Sequence, residues 1–281
     1  MNHLRKYLAG AVPLVLVIFA IYLAFIAYVY IRQDSFIFFP KPTTDERWTE
    51  IIEELRGDYI SIQADDGEIL EGILLSDKTS GDAIAQPTVI FFGGNAMRAE
   101  DIIYEFRDLP SQGINVLLMD YRGYGLSTGK PNTNAFKRDA QKIFDAILTH
   151  PAVDANHITV WGMSLGTGIA THIASVKPVE KVILFAPFTS TVDMAQKTYP
   201  FVPISLLLKH KLDNLKLAPY LKQPVLIVHG EDDKIIIPDS SKKIADVWGG
   251  EAKLLLIPER SHNDLMEDKR AWEAVVSFLK N

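Results

Sequence analysis

Gly162-Met163-Ser164-Leu165-Gly166 places a serine between two glycines. A serine hydroxyl is a poor nucleophile unless a neighbouring base takes its proton. The context gives the pentapeptide its weight. The run "HITVWG" (157–162) reads as a buried strand, and 165–176, rich in small residues, as a helix. A sharp strand–turn–helix elbow holds its serine at strained backbone angles and pushes the hydroxyl into the open. Gly162 and Gly166 let strand and helix approach closely, and the helix N-terminus favours negative charge developing there.

Such a serine needs a histidine and an acid; in the α/β-hydrolases, whose elbow this one resembles, they follow it in the chain in the order acid, then histidine. Of the seven histidines, His3 precedes an apolar segment, and His150 and His157 fall near the start of the strand leading to Ser164. His172 lies within the elbow helix, His210 in an irregular segment, and His229 at the end of a strand, where local packing or hydrogen bonding is expected. His262, in "IPERSHNDLM" after the last strand, is both late enough and on the correct edge. The acid lies in "HGEDDK": Glu231, Asp232 and Asp233 all follow the strand 224–230. Adjacent side chains point apart, so one of them serves. Asp233 is preferred and Asp232 is the alternative. A tetrahedral oxyanion needs two N–H donors. Leu165, directly after the serine, supplies one. The loop Phe92-Gly93-Gly94-Asn95-Ala96 supplies the other, with the Asn95 amide preferred and Gly94 next. The glycine-rich stretch "MDYRGYGLSTGKP" (119–131) is read as a packed loop held by Asp120 and Arg122 and lined by Tyr121 and Tyr124.

These residues need a scaffold. "YISIQA" (59–64) and "EILEGILL" (68–75) flank Asp66-Gly67, a hairpin signal. Apolar strands follow at 87–92, 114–120, 157–162, 181–187, 224–230 and 252–257, separated by helices at about 98–109, 134–149, 165–176, 239–247 and 263–279. Continuous apolar strands alternating with helices predict one α/β domain. Its sheet has about eight mostly parallel strands, with helices on both faces and an antiparallel edge from the hairpin. A surface loop is expected at 76–86. The segment 190–223 breaks the rhythm between two core strands and is placed above the sheet's C-terminal edge, as a small lid.

Ahead of the domain, residues 7–31 carry no charge, long enough to cross a hydrocarbon layer of about 30 Å as a helix. The run exceeds a signal-peptide core, and no A-x-A-like site falls near its far end. We therefore expect an uncleaved, single-pass anchor at 7–31. Residues 1–6, with Arg5 and Lys6, are expected in the cytoplasm, and the domain on the periplasmic or extracellular side. Residues 32–57 form a juxtamembrane connector and 58–281 the domain.

The composition bounds the rest. The chain has 281 residues, 48% hydrophobic and 23% charged, which excludes disorder as the dominant state. It has no cysteine, which excludes thiol nucleophiles, thiolate zinc sites and disulfide scaffolds. A net charge of −6 argues against a nucleic-acid surface.

Together, "GMSLG", "FFGGNAM", "DYRGYGLSTGKP", "HGEDD" and "SHND" resemble the α/β-hydrolase superfamily, in particular its membrane-anchored, serine-aminopeptidase-like branch of α/β-hydrolase-domain proteins. The resemblance covers about residues 30–280. That branch usually carries His-Gly-Asn-Ala-Gly in the oxyanion loop; Gly93 and Met97 replace its first and last residues here. Its proline usually follows the acid by four positions, whereas Pro238 follows Asp233 by five, which keeps Asp232 in play or implies a one-residue bulge. The resemblance implies a serine hydrolase that works without cofactor or metal. The expected substrate is the ester of a lipophilic acyl group, a small molecule or lipid, cleaved through an acyl-enzyme. Alternatives are an amidase or peptidase with the same triad, or a non-catalytic membrane-tethered scaffold. The serine at 164 counts against a dehalogenase, whose nucleophile is an aspartate.

Overall fold

A computed structural model describes the backbone of residues 2–78 and 84–281, and side chains from residue 12 onward within those spans. Five residues of the loop expected at 76–86 (79–83), Met1, and the side chains of the expected cytoplasmic segment 1–6 lie outside what it describes.

One eight-stranded sheet organises the domain. Its strands are β1 (Asp58–Gln63), β2 (Ile69–Leu75), β3 (Gln86–Phe92), β4 (Asn115–Met119), β5 (Val153–Met163), β6 (Lys181–Phe185), β7 (Val225–Gly230) and β8 (Ala252–Ile257), in the spatial order β1-β2-β4-β3-β5-β6-β7-β8. β1 pairs antiparallel with β2, and β2 antiparallel with β4; every other neighbour is parallel. This is the mostly parallel α/β sheet predicted. β4, β6 (apart from Lys181) and β7 are buried along their length, because helices cover both faces. Alternate residues serve opposite cores. Val160 and Leu184 join the cluster around Phe136, Phe144 and Ile169; Trp161, Ile183 and Phe185 join the other. Trp161 anchors this second core, its ring 5.7 Å from Phe91, 5.2 Å from Phe106, 4.8 Å from Phe185 and 5.3 Å from Trp272.

Strand order reverses at β3. The chain passes from β3 to β4 on one side and returns to β5 on the other, so the loops leaving β3 and β5 diverge. That opens a crevice at the strands' C-terminal edge, where ligands of open α/β sheets bind.

Helices Thr133–Ile147, Leu165–Val176 and Asp239–Val247 lie close to the spans predicted for them. Two expected helices are built differently. The helix expected at 98–109 is a single α turn, Ala99–Ile102, followed by a 3₁₀ turn, Ile103–Phe106. Ile103, Phe106 and Leu109 are all buried; their spacing of three matches three residues per turn and puts them on one face. The helix expected at 263–279 divides into a 3₁₀ turn, Leu265–Glu267, and a helix, Lys269–Lys280. Asp268 makes the break: its carboxylate caps the second helix at Arg270 N (2.8 Å) and pairs with Arg260 (2.6 Å).

Residues Asn2–Ile37 form one long helix. Its portion Val12–Ile37 is apolar enough and long enough to cross a membrane, with a mean hydropathy of 2.7; its most apolar stretch is unburied, while Gln33 near its end is buried and accepts from Lys209 N. Beyond it the chain is tied into the domain. Phe38 is buried with its ring 5.5 Å from Phe136, and Gly125 N donates to Lys41 O (2.9 Å).

Candidate active site

The elbow forms where β5 runs into helix Leu165–Val176. Ser164 sits between them at φ 50° and ψ −114°, a left-sided conformation that a non-glycine residue holds only under constraint. The constraint is visible: Ser164 N donates to Phe185 O (2.9 Å), while Thr167 N and Oγ1 donate to Ser164 O (3.0 and 2.6 Å). A Cβ on Gly162 would stand 2.3 Å from Gly166 O, and one on Gly166 would stand 1.9 Å from Phe92 O. Both contacts are to backbone, which cannot rotate aside. Gly166→Ala is therefore expected to destabilise the domain by about 3 kcal/mol through overpacking, read as a fall in the midpoint of thermal or urea unfolding.

His262 reaches the elbow from the loop after β8. Its Nε2 lies 2.9 Å from Ser164 Oγ and its Nδ1 2.7 Å from Asp233 Oδ2. A carboxylate only accepts, so Nδ1 carries the proton and Nε2 is free to accept from the serine. Arg260 and Ser261 pass so close to β7 that a Cβ on Gly230 would stand 2.2 Å from Arg260 O. Gly230 thus allows the histidine loop to lie across the strand that carries the acid.

Of the candidate carboxylates, Asp233 is the one beside His262. It is buried, whereas Glu231 and Asp232 are exposed. Its Oδ1 accepts from Ile235 N and Ile236 N, both at 2.8 Å. Bends at 234–236 wrap this carboxylate and turn the two N–H groups onto it. Burial, the largest single influence, pushes the Asp233 carboxyl up. Hydrogen bonds from His229, His262 and the Ile236 N–H together outweigh it and hold the group well below the usual carboxylate range.

His229 is a member of this network whose partner the sequence does not reveal. Its Nε2 lies 2.7 Å from Ile236 O and 3.1 Å from Asp233 Oδ2, and its Nδ1 2.6 Å from Ser241 Oγ. The Ile236 carbonyl can only accept, so Nε2 holds the proton and shares it with Asp233. Local hydrogen bonding was expected of this strand-end histidine; its reach to the acid depends on the bends at 234–236.

The loop after β3 borders the serine. A Cβ on Gly94 would lie in ordinary contact with Ser164 Cβ, at 3.6 Å, which places this loop directly beside the nucleophile. The Asn95 side chain fixes the loop: its Oδ1 accepts from Tyr124 O–H (2.9 Å) and its Nδ2 donates to Ile37 O at the end of the N-terminal helix. Tyr121 O–H donates to Gly93 O (3.0 Å). Met97 folds back against Gly93 and stays out of the cavity lining. The 119–131 stretch is a packed brace for this loop, with Arg122 paired to Asp139 (2.6 Å) and Asp66 (2.8 Å), and Asp120 accepting from Ala99 N (2.7 Å). Leu165 is the first residue of its helix, where a backbone N–H has no intrahelical acceptor.

A cavity of about 350 Å³ opens onto Ser164. Phe188, Met194, Ala195, Tyr199 and Leu208 line it from the 190–223 region and its approach, Ile235 and Ile236 from the acid loop, and Phe36 and Ile37 from the N-terminal helix. His210, which the sequence offered no reason to select, also lines it. His210 is buried and bonded to Asp34 (2.7 Å).

Residues 84–217 match the family model described as serine aminopeptidase, S33. An esterase of Pyrococcus furiosus superposes with a TM-score of 0.66 at 19% identity, over 86% of this chain and 97% of that one. The chain has the α/β-hydrolase fold. It is 26% identical over 275 residues to an uncharacterized protein of Mycobacterium tuberculosis (strain H37Rv), covering 96% of this chain and 95% of the relative. It is 30% identical over 185 residues to the lysophosphatidylserine lipase of Xenopus tropicalis, covering 57% of this chain and 46% of that protein.

Proposed function

We propose that the protein is a membrane-anchored serine esterase that cleaves a lipophilic acyl ester through an acyl-enzyme. One observation carries the reading: the unbroken line of hydrogen bonds from Ser164 through His262 to Asp233, at 2.9 and 2.7 Å, beside a mostly apolar cavity. Ser164 Oγ attacks the carbonyl as His262 Nε2 takes its proton. Asp233 stabilises the imidazolium, and the N–H groups of Leu165 and Asn95 hold the oxyanion. His262 then protonates the leaving alkoxide, and water activated by the same histidine releases the acid and restores Ser164. Residues 7–31 anchor the enzyme, with 1–6 in the cytoplasm, 32–57 as connector and the domain 58–281 on the opposite side. The segment 190–223 acts as the lid.

An aminopeptidase must recognise a charged amino terminus, for which a carboxylate in the pocket is the natural partner. Among the described residues that line the cavity there is no Asp or Glu. That favours an uncharged acyl group, as does the lipase among the relatives.

A panel of p-nitrophenyl esters of increasing chain length, monoacylglycerol, lysophospholipid and aminoacyl amides tests the choice. We expect kcat/KM to rise tenfold or more from acetyl to medium-chain esters, with amide turnover at least a hundredfold lower. Strong amide turnover with a flat ester response would replace the esterase by a peptidase.

A further inference from the structure

The segment 198–208 holds eleven consecutive uncharged residues, "TYPFVPISLLL", between Lys197 and Lys209. It contains the most exposed large apolar side chains of the catalytic domain, Phe201 at 85% and Leu206 at 82%. This segment does not project at random; it climbs the N-terminal helix. Gln33 meets it at Lys209 N (2.8 Å), and eleven residues earlier in the helix Tyr22 O–H donates to Phe201 O (2.7 Å). Eleven helical residues rise about 16 Å.

The position of Tyr22 sets the depth. A helix needs at least about 17 residues to cross the hydrocarbon layer. The charge-free run extends from residue 7 to residue 31. Every 17-residue window inside it includes residue 22. For a more usual window of about 20 residues, Tyr22 lies at least four residues, or about 6 Å, inside the nearer boundary. The Phe201 backbone, bonded to Tyr22, lies at the same depth.

We propose that the lid tip 198–208 is immersed in the bilayer leaflet nearest the domain, alongside the N-terminal helix, so that the cavity is loaded sideways from the membrane by an acyl amphiphile. This deepens the esterase reading and rests on it, and on the helix spanning the bilayer. The immersion explains why Phe201 and Leu206 stand exposed: their solvent is lipid. It also explains why the cavity is walled by Phe36 and Ile37 on the helix side and by Thr198, Tyr199 and Leu208 on the lid side. An acyl chain in the leaflet lies alongside the helix and enters the cavity between these walls without crossing water.

The test uses the full chain in phosphatidylcholine vesicles, with bromine on the lipid acyl chains as the quencher. Tryptophan is introduced singly as Val17→Trp in the helix and Phe201→Trp in the lid, with the wild-type fluorescence subtracted. We expect both added signals to be quenched by more than half. Quenching of the Val17→Trp signal alone would put the lid outside the bilayer and overturn the proposal, and quenching of neither would remove the membrane helix and the proposal with it. A second arm compares Phe201→Asp/Leu206→Asp with wild type on a vesicle-borne long-chain ester and on p-nitrophenyl acetate. The expected outcome is a loss of at least tenfold in kcat/KM on the vesicle ester with acetate hydrolysis unchanged. Equal effects on both substrates, or no effect on either, would overturn it. If wild type hydrolyses neither ester, the esterase reading fails, while the quenching still decides the insertion.

Discussion

Replacing Ser164 by alanine is expected to lower ester hydrolysis by a factor of about 10⁴–10⁶ and to abolish covalent labelling by a fluorophosphonate probe. The expectation follows from the geometry around one oxygen. His262 Nε2 is 2.9 Å from Ser164 Oγ, and the cavity opens onto the serine. Alanine keeps the backbone but offers no oxygen to attack and no proton for the histidine to take. The left-sided φ of 50° is held by Phe185 O and Thr167, which bond to the backbone of residue 164 and not to its hydroxyl. The variant should therefore fold, and its loss of activity reports chemistry. Equal labelling of wild type and Ser164→Ala, or labelling of neither, would move the chain to the non-catalytic scaffold reading.

Asp233→Asn is expected to cost about 10⁴ in kcat, while Asp232→Asn leaves kcat within about twofold of wild type. The size of the first effect comes from how the amide must sit. Ile235 N and Ile236 N both donate to Oδ1, so the asparagine carbonyl is held on that side. Its NH₂ then occupies the place of Oδ2, facing His262 Nδ1 and the N–H of His229. A donor opposite Nδ1 forces the imidazole proton onto Nε2, and the serine then faces a donor in place of a base. Asp232 is exposed, and its carboxylate makes no hydrogen bond to His262. The pH profile gives an independent reading. With its carboxyl held below the usual range, Asp233 is ionised throughout any assay near neutrality, so its own titration puts no limb on kcat there. The same depressed pKa contributes stability that is present above the ordinary carboxylate pKa and is lost as pH falls through the lower folded value. Asp233→Asn should therefore weaken the dependence of the unfolding midpoint on pH in the acid range.

The parts of this protein legible in the linear chain are those that short-range physics specifies. Buried strands announce themselves as apolar runs, so β3, β4, β6 and β7 fall within two residues of their predicted spans. A sharp elbow needs small residues at fixed offsets, which singles out Ser164; chain order and strand edges single out His262. The long apolar helix is likewise a property of local composition.

Tertiary structure alone decided matters that turn on contacts between distant residues. Neighbours such as Asp232 and Asp233 have the same chemistry and nearly the same position, and only the bends at 234–236 turn one of them inward, onto His262, 29 residues further on. The tie from Asn95 to Ile37 spans 58 residues, and that from Tyr22 to Phe201 spans 179. No periodicity along the chain encodes such pairs, because each depends on where two separately stable elements come to rest. For the same reason a cavity walled by the N-terminal helix and the segment 190–223 exists only once both have docked at the sheet's C-terminal edge.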